Sequence, residues 1–221
     1  MKWANIFAIG AAVAIAAVGA AQAGDAAGSS KTRTGIYIGA HAGAMMGDVN
    51  YAEPGYQDTN ISPDADGFMG GALIGYNYQM DALLLGLEGD LGFGSADVGP
   101  DANSLINTYS AFSVDWNAHV RARLGYSVGS TLFFVAGGVS MLGLTVDDMD
   151  PGYGKDSDIH TGWTVGAGVE RPITETLTLR FEYMYDDYGS GKYHLTDGSG
   201  PYDAKVDLTA HTVRAALAYR F

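Results

Sequence analysis

Five histidines, several carboxylate-rich stretches and a few closely spaced charge doublets are the side chains of this sequence with chemistry to offer. A hydrolytic site needs a nucleophile, a base and an orienting acid within hydrogen-bond reach of one another. His41, His119, His160, His194 and His211 each fall on a different stretch, and none makes a His-x-Ser pair. No catalytic residue is therefore expected, and the chain is not read as an enzyme. Hard cations want several oxygens at set spacing, and none of the Asp-rich stretches follows D-x-[DN]-x-[DN]-G, so no metal site is expected. His41, His160 and His194, with nearby tyrosines, are the residue types that hold haem iron, but no haem motif accompanies them. No cofactor is expected, and haem binding stands as an alternative reading only.

The doublets are more telling. Glu88 with Asp90, Arg121 with Arg123, and Arg180 with Glu182 are each spaced two apart. In a strand that spacing puts both members on one face. What positions them is a series of period-two stretches. The first, from Gly35, sets Ile36, Ile38, Ala40, Ala42 and Ala44 against Tyr37, Gly39, His41 and Gly43. A second spans about Phe68 to Tyr78. A third sets Leu83, Leu85, Leu87, Leu91 and Phe93 against Glu88 and Asp90, and a fourth sets Val114, Trp116, Ala118, Val120, Ala122, Leu124 and Tyr126 against Ser113, Asp115, Asn117, His119, Arg121 and Arg123. The fifth, about Thr131 to Leu142, is apolar on both parities, so its facing stays open. The sixth sets Trp163, Val165, Ala167 and Val169 against Thr164, Gly166, Gly168 and Glu170, and the seventh sets Leu177 to Tyr185 against Thr178, Arg180, Glu182 and Met184. The eighth, Thr212 to Phe221, sets Val213, Ala215, Leu217, Tyr219 and Phe221 against Arg214 and Arg220.

Long acidic connections, 46–66, 95–107, 145–159 and 188–205, follow the odd strands, and short turns follow the even ones. Before the first strand, residues 1–23 read as a secretory signal: Lys2, an apolar run, and the small-residue cleavage site Ala21-Gln22-Ala23 before Gly24. Residues 24–34 form a short lead-in and residues 35–221 one domain. Signal removal takes away one base, so the 12 bases and 25 acids become 11 − 25 = −14. That balance argues against nucleic acid, whose phosphates need a basic face.

Eight alternating strands close into a barrel, and the polar face decides its surroundings. A soluble barrel would turn that face to water and fill it with Lys, Glu and Ser, whereas here it holds Gly, small residues and a few charges. Aromatics gather near strand ends (Tyr78, Tyr126, Tyr185, Tyr188, Tyr219, Phe221), as an interfacial girdle requires. The expected fold is an all-β, eight-stranded antiparallel up-and-down transmembrane barrel, with long loops outside and short turns in the periplasm.

The segments Gly35-Ile-Tyr-Ile-Gly, Gly75-Tyr-Asn-Tyr-Gln, Gly86-Leu-Glu-Gly-Asp, Val120-Arg-Ala-Arg-Leu-Gly-Tyr, Gly162-Trp-Thr-Val-Gly-Ala-Gly-Val-Glu and Phe181-Glu-Tyr-Met-Tyr, one per strand, together resemble the porin-like outer-membrane immunogenic proteins. They are similar, more widely, to OmpA-like and opacity-type eight-stranded barrels. The resemblance implies an integral protein of the Gram-negative outer membrane, in contact with lipid and lipopolysaccharide, that contributes to envelope integrity and host or environment contact. A surface ligand is expected but not identified. It also implies that Tyr219 and Phe221 are read by the barrel assembly machinery. OmpA-type proteins often carry a peptidoglycan-binding domain after the barrel; here any cell-wall tether is expected to belong to another protein. A small porin is the alternative function.

In such a barrel an arginine facing lipid at the midplane costs about 2–4 kcal/mol, so Arg121 and Arg123 must turn inward. The inward set is then Glu88, Asp90, Glu170 and Glu182 with Arg121, Arg123, Arg180 and Arg214, four acids against four bases. Glu88 and Asp90 are expected to meet Arg121 and Arg123 on the neighbouring strand, with Arg214 beside Arg180 and Glu182. Together they form a charge layer that plugs a lumen barely wide enough for side chains.

Overall fold

The structure, a computed structural model, describes residues 33–52, 64–98, 110–148, 156–197 and 200–221. The signal segment with Ala21, Ala23 and Gly24, and most of the lead-in, lie outside the described residues. Alternation builds eight strands: β1 (Gly35–Ala52), β2 (Asp64–Met80), β3 (Leu83–Val98), β4 (Ser110–Val128), β5 (Thr131–Asp148), β6 (Asp156–Pro172), β7 (Leu177–Asp197) and β8 (Gly200–Arg220). Each pairs antiparallel with its sequence neighbours, and β1 pairs with β8, so the sheet is a closed barrel without edges. The turns are tight: Asp81 takes a positive φ of 52° between β2 and β3, and Gly129 one of 58° between β4 and β5.

The outer wall is apolar. Ile38, Ile74, Leu87, Val120, Val135 and Val165 are exposed on it, while Tyr37, Leu73, Glu88, Arg121 and Thr164 face in. On β2, Tyr78 and Phe68 lie ten residues apart on this outer face, as do Tyr126 and Trp116 on β4. At the tilt of membrane strands that separation is about 25 Å, the height of the apolar band between two aromatic girdles. Val120 sits midway and is 65% exposed. Val120→Arg is therefore expected to destabilise the barrel by about 2–4 kcal/mol, whereas Tyr126→Arg, at the rim, costs at most about 1 kcal/mol. Urea unfolding in lipid vesicles measures both, and equal costs would contradict this placement of the band.

Three features differ from the sequence reading, and a fourth, which it left open, is decided. The strands run through much of what reads as loop: β7 and β8 remain paired as far as Asp197 and Gly200, inside the stretch 188–205. Strands of 16 to 21 residues exceed the 9–11 that a membrane needs, so the barrel wall continues above the outer surface. There lipid no longer imposes apolar alternation on the outer face. Second, the β4–β5 ladder slips by one residue between Val114 and Trp116, which breaks the parity that placed Ser113 and Asp115 with Arg121. Third, Tyr188 is no girdle residue; it is 4% exposed and packs in the lumen with Met45, Met69, Leu142, Leu208 and Ala210. Fourth, β5 acquires a facing: Leu132, Phe134, Ala136, Ser140 and Leu142 are buried inside, and Phe133, Val135, Val139 and Met141 face out.

Candidate functional site in the barrel lumen

Side chains of equal parity converge from β3, β4, β6, β7 and β8 into one layer across the lower lumen. All eight charged residues expected there are buried: Glu88, Asp90, Arg121, Arg123, Glu170, Arg180, Glu182 and Arg214. Arg121 bridges two acids, donating from Nη2 to Glu88 Oε1 and from Nη1 to Glu182 Oε1, each at 2.6 Å. Arg180 donates from Nη1 to Glu88 Oε2 at 2.6 Å and from Nε to Glu170 Oε1 at 2.7 Å. Arg214 donates from Nε to Glu182 Oε2 at 2.9 Å and from Nη1 to Asp90 Oδ1 at 3.0 Å. Every arginine thus spans two carboxylates, or a carboxylate and a hydroxyl, as its planar fork of donors allows.

Neighbour pairing of the strands accounts for only part of this. Arg121 does meet Glu88, its direct register partner, and approaches Asp90 at 3.4 Å. Arg123 instead reaches Glu170, two strands away, and lies 3.7 Å from Glu88. Its guanidinium stacks over Phe134, 4.3 Å from the ring centroid. Arg214 meets Glu182, its register partner on β7, and also crosses the lumen to Asp90.

Three further residues join the layer. Tyr37 donates its hydroxyl to Glu88 at 2.7 Å and accepts from Arg123 at 2.9 Å. His119 places Nδ1 2.8 Å from Asp90 Oδ1 and Nε2 3.3 Å from Asp186 Oδ1. Asp186 adds a fifth acid and His119 stands between it and Asp90, so five acids face four arginines and one histidine. Parity carried this signal, since His119 is in line with Arg121, and Asp186 continues the series Arg180, Glu182, Met184.

At the periplasmic mouth Arg33, just before β1, reaches across the opening. Its backbone N–H donates to Gln79 Oε1 at 2.7 Å, its Nη1 to Ser127 Oγ at 3.0 Å, and its Nη2 to the Ser130 carbonyl at 2.6 Å. Between Arg33, Tyr37, Asn77, Glu170, Arg180 and Arg220 a cleft of about 30 Å³ remains, room for a water or two. Tyr219 and Phe221 meet edge-on on the outer wall, with ring centroids 5.3 Å apart, and the Phe221 N–H donates to the Ile36 carbonyl at 3.1 Å.

The histidines do not converge. His41 and His160 are buried, on β1 and β6, and the side chain of His194 lies outside those described. His211 faces outward but is covered by tyrosines: its Nδ1 is 2.6 Å from the Tyr183 hydroxyl and its ring is 5.0 Å from Tyr185. Among the described residues no group of three or more His, Asp or Glu is arranged to hold a metal ion.

With this geometry in hand, the likeness to known proteins is informative. Residues 11–221 match the family described as outer membrane protein beta-barrel domain. A 22 kDa outer membrane protein of Rhizobium leguminosarum bv. viciae is 34% identical over 165 residues, covering 75% of this chain and 69% of the relative. The 31 kDa outer-membrane immunogenic protein of Brucella melitensis biotype 1 is 33% identical over 208 residues, 85% of this chain and 83% of that one. In fold, the chain is similar to Neisserial surface protein A, with a TM-score of 0.53 and 15% identity over 86% of this chain and 100% of the other. An apolar outer wall, a closed eight-stranded sheet and these relatives agree: the chain belongs to the outer membrane protein beta-barrel domain family and is an integral protein of the outer membrane.

Proposed function

We propose that the protein is a structural surface barrel that strengthens the outer membrane and meets the host or environment with its outer end, its lumen being closed rather than conducting. The observation that carries this reading is the charge layer, whose eight side chains are each no more than 5% exposed. Ions crossing it would have to strip carboxylates from arginines that are fully desolvated, at several kcal/mol per pair. Tyr219 and Phe221, exposed on the outer wall, suit capture by the assembly machinery, and the apolar belt suits lipid and lipopolysaccharide. The burial of His41 and His160 leaves them unable to meet a haem at the outer surface, so the closed structural barrel is preferred to the haem reading. Single-channel recording on refolded protein in planar bilayers is the test. The closed barrel is expected to give no steady conductance above the bare bilayer. Steady, salt-dependent openings would favour the small-porin reading.

A further inference from the structure

Below the charge layer, at the periplasmic mouth, the lumen keeps an open space, the cleft of about 30 Å³. Its lining is unbalanced in charge. Three guanidinium groups, those of Arg33, Arg180 and Arg220, stand against one carboxylate, that of Glu170. Glu170 is already paired: its Oε1 accepts from Arg123 and, at 2.7 Å, from Arg180 Nε. Arg180 also gives its Nη1 to Glu88, so this part of the lining is neutralised within the layer. The surplus positive charge belongs to Arg33 and Arg220.

Arg33 is matched differently. It is 9% exposed, and each acceptor it meets among the described residues is neutral: Gln79 Oε1 for its backbone N–H, Ser127 Oγ and the Ser130 carbonyl for its guanidinium. Burial pushes its pKa below the ordinary arginine value, the Glu170 carboxylate offsets part of that, and the like charge of Arg220 adds to it. Arg220 itself donates Nη2 to the Glu175 carbonyl at 2.9 Å, again a neutral acceptor. A desolvated cation beside a second cation is the situation that a bound anion relieves. The rest of the lining suits one, since Thr178 supplies a hydroxyl and Asn77 a side-chain amide, both able to donate. Thr178 and Arg220 are half-buried, so the cleft is reached from the periplasm on the β7–β8 side. Room for a water or two is also room for a halide ion, which is little larger than water, but not for a polyatomic anion the size of gluconate.

We propose that the periplasmic cleft binds a small monovalent anion, with chloride as its probe, held between Arg33 and Arg220 with Thr178 and Asn77 as neutral donors. The anion fastens the lead-in, through Arg33, to β8, through Arg220, just as Arg33 fastens it to the end of β2 and to the β4–β5 turn. The site does not depend on the lumen being closed.

Refolded full-length protein in lipid vesicles is unfolded with urea while sodium chloride replaces sodium gluconate at constant ionic strength, which holds screening fixed. An anion that binds only the folded state lowers the unfolding constant, here by at least about fivefold as chloride rises to about 0.5 M. Arg33→Gln, which keeps donors but not the charge, is expected to abolish this response. Thr178→Glu, which brings a carboxylate to the cleft, should abolish it too. Arg171→Gln removes a positive charge outside the lining and should retain it. Heat-modifiable migration shows which variants fold; if Arg33→Gln does not, Thr178→Glu carries the comparison. Excess broadening of the chloride NMR resonance by the folded, unmodified protein, lost in the same variants, reads binding without unfolding. A chloride response shared equally by the unmodified protein and these two variants, or no response at all, would overturn the proposal and leave the cleft to water.

Discussion

Arg121→Ala is expected to destabilise the barrel by about 3–5 kcal/mol, the cost of stranding buried charges whose partner is removed. Arg121 is 1% exposed and holds Glu88 and Glu182, both at 2.6 Å. Its loss leaves Glu88 with Arg180 and Tyr37, but Glu182 with Arg214 alone at close range. The deficit can be relieved only by admitting water or by protonating a carboxylate. Urea unfolding in vesicles should therefore show a lower midpoint, and planar-bilayer recording a raised leak. Arg121→Lys keeps the charge but offers a single ammonium in place of the planar fork that bridges the two acids, so an intermediate loss is expected. Adding Arg123→Ala should deepen the effect, because Arg123 holds Glu170 and Tyr37 in the same network. An unchanged midpoint together with unchanged leak in Arg121→Ala would show that the layer contributes neither stability nor closure.

The second large effect concerns the hinge between wall and layer at Gly75. A Cβ there would enter the Tyr37 phenol and approach the Leu87 carbonyl at 2.7 Å. Tyr37 is packed with Leu73, Ala216 and Ala218, so its ring has little room to yield. Gly75→Ala is expected to cost about 1–3 kcal/mol from overpacking. If the phenol is displaced, its hydrogen bonds to Glu88 and Arg123 go as well, and bonds to charged groups are worth about 1.5–3 kcal/mol. Tyr37→Ala removes the obstacle and is itself destabilising, but in that background Gly75→Ala should be nearly neutral. A double-mutant cycle of unfolding midpoints measures the coupling. Additive losses would mean that Gly75 is not kept small by Tyr37.

Period two alone identified the barrel, because side chains on a strand alternate and lipid tolerates only one kind of face. It told which way Glu88, Asp90, Arg121, Arg123, Glu170, Arg180, Glu182 and Arg214 point, since the alternative register puts arginines in hydrocarbon. It was silent for β5, where Leu132 and Phe133 are equally apolar, and the decision came from packing: Phe134 lies beneath Arg123 in the layer. It also misjudged the extent of the strands, because beyond the lipid-facing band backbone pairing of β7 with β8 needs no apolar alternation.

Which charge meets which was a matter for the tertiary structure. Strand neighbours bring Arg121 to Glu88, but the long guanidinium arms reach across a narrow lumen, so Arg123 finds Glu170 and Arg214 finds Asp90. That choice depends on strand tilt and stagger, which summed around eight strands set heights that no single strand encodes. That the β6–β7 ladder ends at Trp163↔Asp187 has the same origin: pairing is a property of two strands and of the bulge at Asp187–Ser190, and neither strand's own pattern records it. The facing of each residue was local and therefore legible in the chain. The pairing of charges across the lumen arises from closure of the sheet, and exists only once the barrel does.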